Sequence, residues 1–226
     1  MTAHDATVSS VAVPFSARLR DETREDHERA ESSPFVTAYL AGRVPIDGYA
    51  ALQGQLWSIY DALESSAVWL RDDPVVGPFL DPRLDRLPSL DADLRRLVGD
   101  DWRDRVRPGD ATQAHAARIR ELAQTWPAGF IAHHYIRYLG DLSGGRALGS
   151  KARKLYQLED DGIRFYRFDA IESPREFKDG YRRLLDDAPW SPAEQARIVA
   201  EARTGFRMTG AMFEELDRAV GAGVDA

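Results

Sequence analysis

The sequence contains no cysteine among its 226 residues, which excludes disulfides, zinc ribbons and cysteine nucleophiles. No apolar run approaches the about 20 residues that a membrane-spanning helix requires, and residues 1–14 lack the basic start and apolar core of a secretory signal. Acidic residues outnumber basic ones, 37 to 30, and the net charge of −7 disfavours a general nucleic-acid-binding role. We therefore expect a cytoplasmic protein with no membrane anchor and no nucleic-acid partner.

Motifs of several enzyme classes are also missing. The sequence has no glycine-rich phosphate loop of the Walker or dinucleotide type, and no Ser-His-Asp order with a nucleophile elbow. Di-iron carboxylate proteins use Glu-x-x-His on two helices, but none of the histidines here has a glutamate three residues before it. These absences exclude the commonest phosphate, acyl-transfer and di-iron sites.

The spacing of apolar residues predicts an all-α fold in a single domain. Over most of the chain these residues recur with the 3.6-residue period of a helix. Helices are predicted over residues 16–31, 35–40, 46–70, 91–98, 111–126, 128–158, 174–186 and 191–220. Residues 72–89 are rich in proline and predict an irregular surface connection. Residues 162–168 alternate like a strand but have no partner strand, so we expect a loop that packs aromatic side chains. The domain is expected over residues 15–218, between a mobile N-terminal tail (1–14) and a C-terminal tail (219–226).

The longest predicted helix contains an unusual group of glycines within HHYIRYLGDLSGGRALG, residues 133–149. Each glycine in a helix interior costs about 1 kcal/mol relative to alanine, so close approach of another group should offset the loss. Gly140 and Gly144 share one face, which either a neighbouring helix or a flat ligand could touch, and helix packing is the simpler explanation. Asp141, beside that face, is costly to bury without hydrogen-bond partners, so it is expected either to be solvated or to belong to a polar site.

His27 is the histidine with the most informative surroundings. It lies on the inward stripe of the first helix, and Glu31, four residues on, could bond the ring nitrogen that is not used for coordination. Arg20 and Arg24 lie on nearly the same side. They would suit a flat apolar ligand with carboxylates at its edge, but ion pairs with neighbouring acidic residues explain them equally well. His115 is most simply a core or semi-buried histidine.

Two segments together resemble the haem oxygenase family: TREDHERAE, residues 23–31, and YIRYLGDLSGG, residues 135–145. The likeness extends over nearly all of residues 15–218, including FKDGYR at 177–182 and FEEL at 213–216. It implies a helical fold with haem held between a proximal helix and a kinked, glycine-rich distal helix. It also implies an enzyme that cleaves haem oxidatively to biliverdin, with the IXα isomer expected, CO and Fe2+.

The resemblance implies roles for individual residues. His27 would be the axial ligand of the haem iron, with Glu31 bonded to its other ring nitrogen. Gly140 and Gly144 would touch the haem face, and Asp141 would organise water on the oxygen-binding side. Tyr60 and Arg137 would complete the catalytic group. The remaining positions that the resemblance assigns to haem binding are Arg20, Arg24, Tyr135, Ser143, Lys178, Arg182 and Phe206.

The resemblance further implies haem b as both substrate and cofactor, O2, and electrons from NAD(P)H. The electrons would arrive through a ferredoxin and its reductase or a flavoprotein. Many relatives carry lysine where this chain has Arg20 and Arg24, and Arg146 replaces a common glutamine. Eukaryotic relatives carry a C-terminal apolar anchor, whereas this chain ends GAGVDA, so a soluble bacterial type is expected.

Two other functions share these features. A haem carrier or sensor would keep the pocket, but it would not need the proton-delivering group that Asp141 and Tyr60 suggest. A thiaminase-like enzyme of the same helical fold would use a cysteine nucleophile, which this chain lacks. The sequence therefore favours the oxygenase.

Overall fold

The structure is a computed structural model that describes residues 13–224, and within this range it contains helices and no strand. The predicted all-α fold is confirmed. The α-helices are α1 (Phe15–Glu31), α2 (Pro34–Ala41), α3 (Ile46–Leu70), α4 (Leu87–Val98), α5 (Trp102–Arg105), α6 (Asp110–Thr125), α7 (Pro127–Tyr156), α8 (Pro174–Asp187) and α9 (Pro192–Val224). Short 3-10 helices cover Gly77–Phe79, Pro82–Leu84 and Arg164–Tyr166. Most of the predicted N-terminal tail lies outside the described residues.

Local sequence sets several of the helix ends. Ser33 and Ser173 accept hydrogen bonds from backbone N–H groups three residues on, at the starts of α2 and α8, and a proline follows each of them. Gly42 ends α2 in the left-handed region, with φ of +80°. The helices α1, α3, α7 and α8 begin and end within two residues of their predicted bounds.

Two predicted bounds were wrong and one short helix was not predicted; the differences at α4 and α5 have a tertiary cause. Helix α4 begins at Leu87, four residues early, because the Glu64 carboxylate of α3 accepts hydrogen bonds from the backbone N–H groups of Arg86 and Leu87. The unpredicted α5 is a single turn that buries Trp102 against Trp57, with their ring centroids 5.3 Å apart. Helix α9 continues to residue 224, past its predicted end.

Helix packing leaves a cleft between α1 and α7. Both helices pack on α9, whereas extensive contact between them is absent from the described residues. On the far side of α7, the segment after it buries Phe165, Tyr166 and Phe168 in the core, as predicted for residues 162–168. The core thus holds α7 from behind and leaves its front face to the cleft. None of the described helices is long and apolar enough to cross a membrane.

Candidate functional site

The cleft between α1 and α7 brings together most of the predicted site residues. Its lining from α1 comprises Ser16, Ala17, Arg20, Thr23, Arg24, His27 and Glu31. The lining from the other helices comprises Tyr135, Ile136, Leu139, Gly140, Ser143 and Gly144 of α7, Arg182 of α8 and Phe206 of α9. The cleft is therefore a slot with apolar and glycine surface inside and cationic side chains at one edge.

His27 stands on the α1 wall with its side chain 45% exposed. Its Nε2 lies 3.2 Å from Glu31 Oε1, and the centroid of its ring is 5.4 Å from that of Phe206. The preceding residue, Asp26, is buried and accepts a 2.8 Å hydrogen bond from Arg203 of α9. This bond anchors α1 on α9 and directs His27 toward the cleft.

The glycines of α7 fall into two groups. A Cβ added at Gly140 or Gly144 would meet no atom within 4 Å, whereas one at Gly145 or Gly149 would lie 3.5 or 2.9 Å from Tyr166. Helix packing, the simpler explanation from sequence for Gly140 and Gly144, is therefore wrong, whereas Gly145 and Gly149 do lie against another part of the protein. Gly140 and Gly144 instead leave bare backbone along the cleft.

Asp141 belongs to a polar group just behind that bare face. The hydroxyl of fully buried Tyr60 donates a short hydrogen bond to Asp141 Oδ2, and Arg137 Nη2 donates to both carboxylate oxygens, at 3.3 and 3.0 Å. The Arg137 guanidinium also lies 5.7 Å from the centre of the Tyr60 ring. Asp141 keeps 13% of its side chain exposed. The carboxylate is thus held in one orientation and still reaches solvent.

Burial and mutual electrostatic interactions shift the pKa values of Tyr60 and Arg137 in this group. Burial raises the pKa of Tyr60 well above its ordinary value, and the Asp141 carboxylate raises it further, so the phenol stays protonated and can donate. Burial alone would lower the pKa of Arg137, but Asp141 and Tyr60 outweigh it and raise that pKa. Arg137 is therefore a permanent cation facing an acceptor.

The predicted haem-edge cations lie around the cleft, where most of them are in short-range pairs. Arg20 Nε donates to Asp21 at 2.9 Å, Arg24 lies 3.9 Å from Glu28, and Arg182 donates to Asp179 at 2.7 Å. The competing explanation from sequence, pairing within the helix, thus holds for the free protein. Such exposed pairs contribute only about 0.2–1 kcal/mol each, so a ligand carboxylate can replace them.

Two further predicted residues link the helices at the edge of the cleft. Lys178 of α8 does not line the cleft, but its Nζ donates to Ser143 Oγ of α7 at 3.0 Å. Tyr135 is half-buried: burial raises its pKa, and the neighbouring cations Arg182 and Arg20 act in the opposite direction. The Lys178–Ser143 bond joins α7 and α8 at one side of the slot.

The sequence did not predict that three buried polar residues on different helices would hydrogen-bond to one another. His115, His133 and Glu201, from α6, α7 and α9, form a hydrogen-bonded chain. His115 was predicted to be a core or semi-buried residue, and its 0% exposure places it in the core. No spacing rule relates the three residues, because each lies on a different helix.

Comparisons with known proteins agree on one family. The family model described as Heme oxygenase matches residues 13–215. Heme oxygenase 1 of Synechocystis is 38% identical over 207 residues, covering 92% of this chain and 86% of the relative. Heme oxygenase of Porphyra purpurea is 38% identical over 203 residues, covering 89% and 86%. The crystal structure of the Synechocystis heme oxygenase-1 in complex with heme superimposes with a TM-score of 0.90 at 37% identity, over 94% of this chain and 96% of that one. The chain therefore belongs to the haem oxygenase family.

Proposed function

We propose that this haem oxygenase binds haem in the cleft between α1 and α7 and converts it to biliverdin, CO and Fe2+ with O2 and electrons. One observation carries the proposal: a single slot has a histidine on one wall, bare glycine backbone on the other and cations at its edge. Each feature corresponds to one part of haem, namely the iron, the flat macrocycle and the propionates.

The α1 wall fits the iron of a porphyrin better than a bare metal ion. No cluster of three or more histidine, cysteine or carboxylate side chains that could hold a metal ion is found in residues 13–224. A metal at His27 would therefore need its other ligands from a macrocycle. Glu31 beside one ring nitrogen would fix the ring and leave the other nitrogen for the iron.

The α7 wall fits the face of the macrocycle. A side chain at position 140 or 144 would project into the cleft, whereas glycine lets a flat ligand touch the helix backbone. Ile136, Leu139 and Phe206 add apolar surface in the same slot. Contact with this surface would offset the helix-destabilising effect of the glycines.

Arg20, Arg24, Lys178 and Arg182 would hold the propionates, with Tyr135 between them. Arginine can bond a carboxylate through two parallel N–H groups, so Arg20 and Arg24 would bind more directionally than lysine. The Lys178 contact to Ser143 already brings one cation to the α7 side of the slot. We propose that this arrangement favours opening at the α edge of the ring.

Asp141 would deliver, through a water molecule, the proton that the reaction requires. Bound haem supplies the iron that activates O2 and the ring carbon that is oxidised. Asp141, held by Tyr60 and Arg137 and still partly exposed, can bond a water beside the glycine face and pass a proton through it. Tyr60 would act as a fixed donor, and Arg137 would keep the carboxylate in place.

Titration of the purified protein with haem, followed by addition of reductant, tests this proposal. We expect a one-to-one complex that forms biliverdin under air with NADPH, ferredoxin and ferredoxin reductase, and chromatography should identify the IXα isomer. Ascorbate serves as a control donor that needs no protein partner, so failure of the ferredoxin can be separated from failure of the enzyme. No stoichiometric complex, or a complex that survives both donors unchanged, would overturn the proposal.

A further inference from the structure

Helix α8 carries two of the proposed propionate cations, although only a narrow strip of it is buried. Lys178 and Arg182 lie one turn apart on this helix, and Arg182 lines the cleft. The buried residues of the helix are Tyr181 and Leu185. The bond from Lys178 to Ser143 reaches α7 from an exposed position. The place of both cations therefore depends on what holds α8 against α7.

A buried hydrogen bond joins α8 to α7. His134 Nδ1 lies 2.9 Å from the hydroxyl oxygen of Tyr181, and the two residues are 4% and 3% exposed. Burial lowers the pKa of His134 to about 3 and raises the pKa of Tyr181, so a neutral ring faces a protonated phenol at neutral pH. Within residues 13–224, the other hydrogen bonds from α8 to another helix, at Lys178 and Asp186, lie at exposed positions.

This bond differs in kind from the apolar contacts around it. Phe79 packs edge-on against the Tyr181 ring, with the centroids 5.0 Å apart, and Leu185 is buried in the core. Apolar burial is non-directional, so such contacts tolerate a small rotation or slide of a helix. A hydrogen bond weakens steeply when its distance or angle leaves the preferred range. The bond between His134 and Tyr181 therefore restricts the rotation and axial position of α8 more sharply than apolar packing does.

The bond lies directly behind the cleft. His134 precedes Tyr135 on α7, and Tyr181 precedes Arg182 on α8. Tyr135 and Arg182 both line the cleft, and the rings of Tyr135 and Tyr181 are 6.4 Å apart. Lys178 stands almost one turn before Tyr181. A shift of α8 at Tyr181 would thus move both cations along the edge of the slot.

We infer that His134 and Tyr181 are positioning residues: their hydrogen bond fixes α8 on α7 and so places the two α8 cations that hold haem in one orientation. Neither residue needs to touch haem, because each acts through the helix that carries it. The orientation of haem in the slot decides which ring edge is opened, so the bond also sets the isomer of the product. The effect on haem rests on the proposed function. The fixing of α8 does not, because the bond belongs to the protein without haem.

Tyr181→Phe tests the inference, because it removes the hydroxyl and keeps the ring. Tyr39→Phe is the matched control: Tyr39 is equally buried, its hydroxyl donates to Leu148 O of α7 at 3.0 Å, and it does not line the cleft. Both variants should unfold at a lower temperature than the wild type. In the haem-free protein, mass spectrometry should show faster hydrogen exchange in α8 relative to α3 for Tyr181→Phe alone.

The orientation of bound haem provides the second measurement. In Tyr181→Phe, proton NMR of the cyanide complex should show additional haem methyl signals. The share of biliverdin isomers other than the main wild-type isomer should rise by about 2- to 10-fold, the factor that corresponds to the net contribution of one hydrogen bond. Tyr39→Phe should match the wild type in both measurements. If Tyr181→Phe matches it too, the bond contributes stability alone and the inference is overturned.

Variants of His134 keep the test decisive if Tyr181→Phe does not fold. His134→Asn can place an amide near the position of Nδ1 and should keep the wild-type haem orientation, whereas His134→Leu, of similar size, should not. The double variant His134→Leu/Tyr181→Phe leaves neither group of the pair buried without a partner. It should therefore be more stable than Tyr181→Phe and still bind haem in a mixture of orientations. Equal haem orientation in the Asn and Leu variants would overturn the inference.

Failure of the inference and failure of the proposed function give different results. If wild-type protein binds no haem, the proposed function fails, and hydrogen exchange in α8 still decides whether the bond fixes this helix. If wild-type protein turns haem over but Tyr181→Phe matches it in hydrogen exchange and haem orientation, the inference fails and the proposed function stands.

Discussion

The two walls of the cleft are stabilised in different ways. On α1, His27 is half exposed, and the cations pair with acidic neighbours on the surface of the same helix, as Arg20 does with Asp21. On α7, Asp141 is held by buried Tyr60 and Arg137. Exposed pairs rearrange at little cost, whereas a buried charge network is fixed by its surroundings. The α7 wall is therefore set before a ligand arrives, and the α1 wall completes its contacts with the ligand.

The largest effect should follow from Asp141→Asn. The amide fills the same volume and can still accept from Tyr60, but it cannot carry the proton, so biliverdin formation should fall by about a hundredfold or more. Haem affinity should change little. Single-turnover spectroscopy measures the rate, and Asp61→Asn, beside Tyr60 but paired with Arg120 outside the cleft, is the control. Unchanged turnover in Asp141→Asn would remove that residue from the mechanism.

His27→Ala should weaken haem binding while leaving the stability of the haem-free protein almost unchanged. Because the ring is 45% exposed, the free energy of unfolding without haem should change by less than about 0.5 kcal/mol. Haem affinity should fall, and the signature of histidine ligation should be lost from the electron paramagnetic resonance spectrum. Added imidazole should restore the spectrum. A variant with the wild-type spectrum would show that His27 is not the ligand.

Helix α7 contains both a glycine packed against protein, Gly149, and a glycine that faces the cleft, Gly144, so the two environments can be compared within one helix. In Gly149→Ala, the new Cβ would lie 2.9 Å from Tyr166 Cβ, and this overpacking should destabilise the haem-free protein by about 1–3 kcal/mol. In Gly144→Ala, the Cβ meets no protein atom, so the haem-free protein should gain up to about 1 kcal/mol from helix propensity while haem binding weakens.

Urea unfolding and haem titration of the two glycine variants measure these opposite effects. If Gly144→Ala bound haem as the wild type does, the glycine face would have no part in binding. If Gly149→Ala were as stable as the wild type, α7 would adapt more readily than its packing indicates.

The smallest effect is expected at the edge of the cleft. Arg20→Ala removes one exposed cation, so haem affinity should weaken by about fivefold, which corresponds to about 1 kcal/mol. Arg107→Ala is the control, since Arg107 is an exposed arginine, paired with Asp104, that does not line the cleft. Titration of both variants with haem checks the difference. Equal affinities would indicate that Arg20 stays paired with Asp21 in the complex.

The sequence allowed prediction of features that depend on spacing along one helix. The bounds of α1, α3 and α7 follow from periodicity, and the pair His27–Glu31 follows from a separation of four residues. Arg137 and Asp141 have the same separation, but their pairing was not predicted. Tyr60 could be linked to Asp141 only through the family resemblance, because 81 residues separate them.

Features that depend on contacts between helices could not be predicted. The start of α4 is set by a carboxylate of α3, and the chain from His115 to Glu201 spans three helices. The sequence also could not show which glycines of α7 face protein, since this depends on where Tyr166 packs.

The two glycine pairs also have a consequence for the evolution of this fold. Gly149 is required by the packing against Tyr166, so any descendant that keeps the fold should keep a small residue there. Gly140 and Gly144 are required only by what enters the cleft. A lineage that abandoned haem would therefore be free to acquire side chains at positions 140 and 144 while position 149 stayed constrained. Side chains at both positions would mark a relative that has kept the architecture and lost the chemistry.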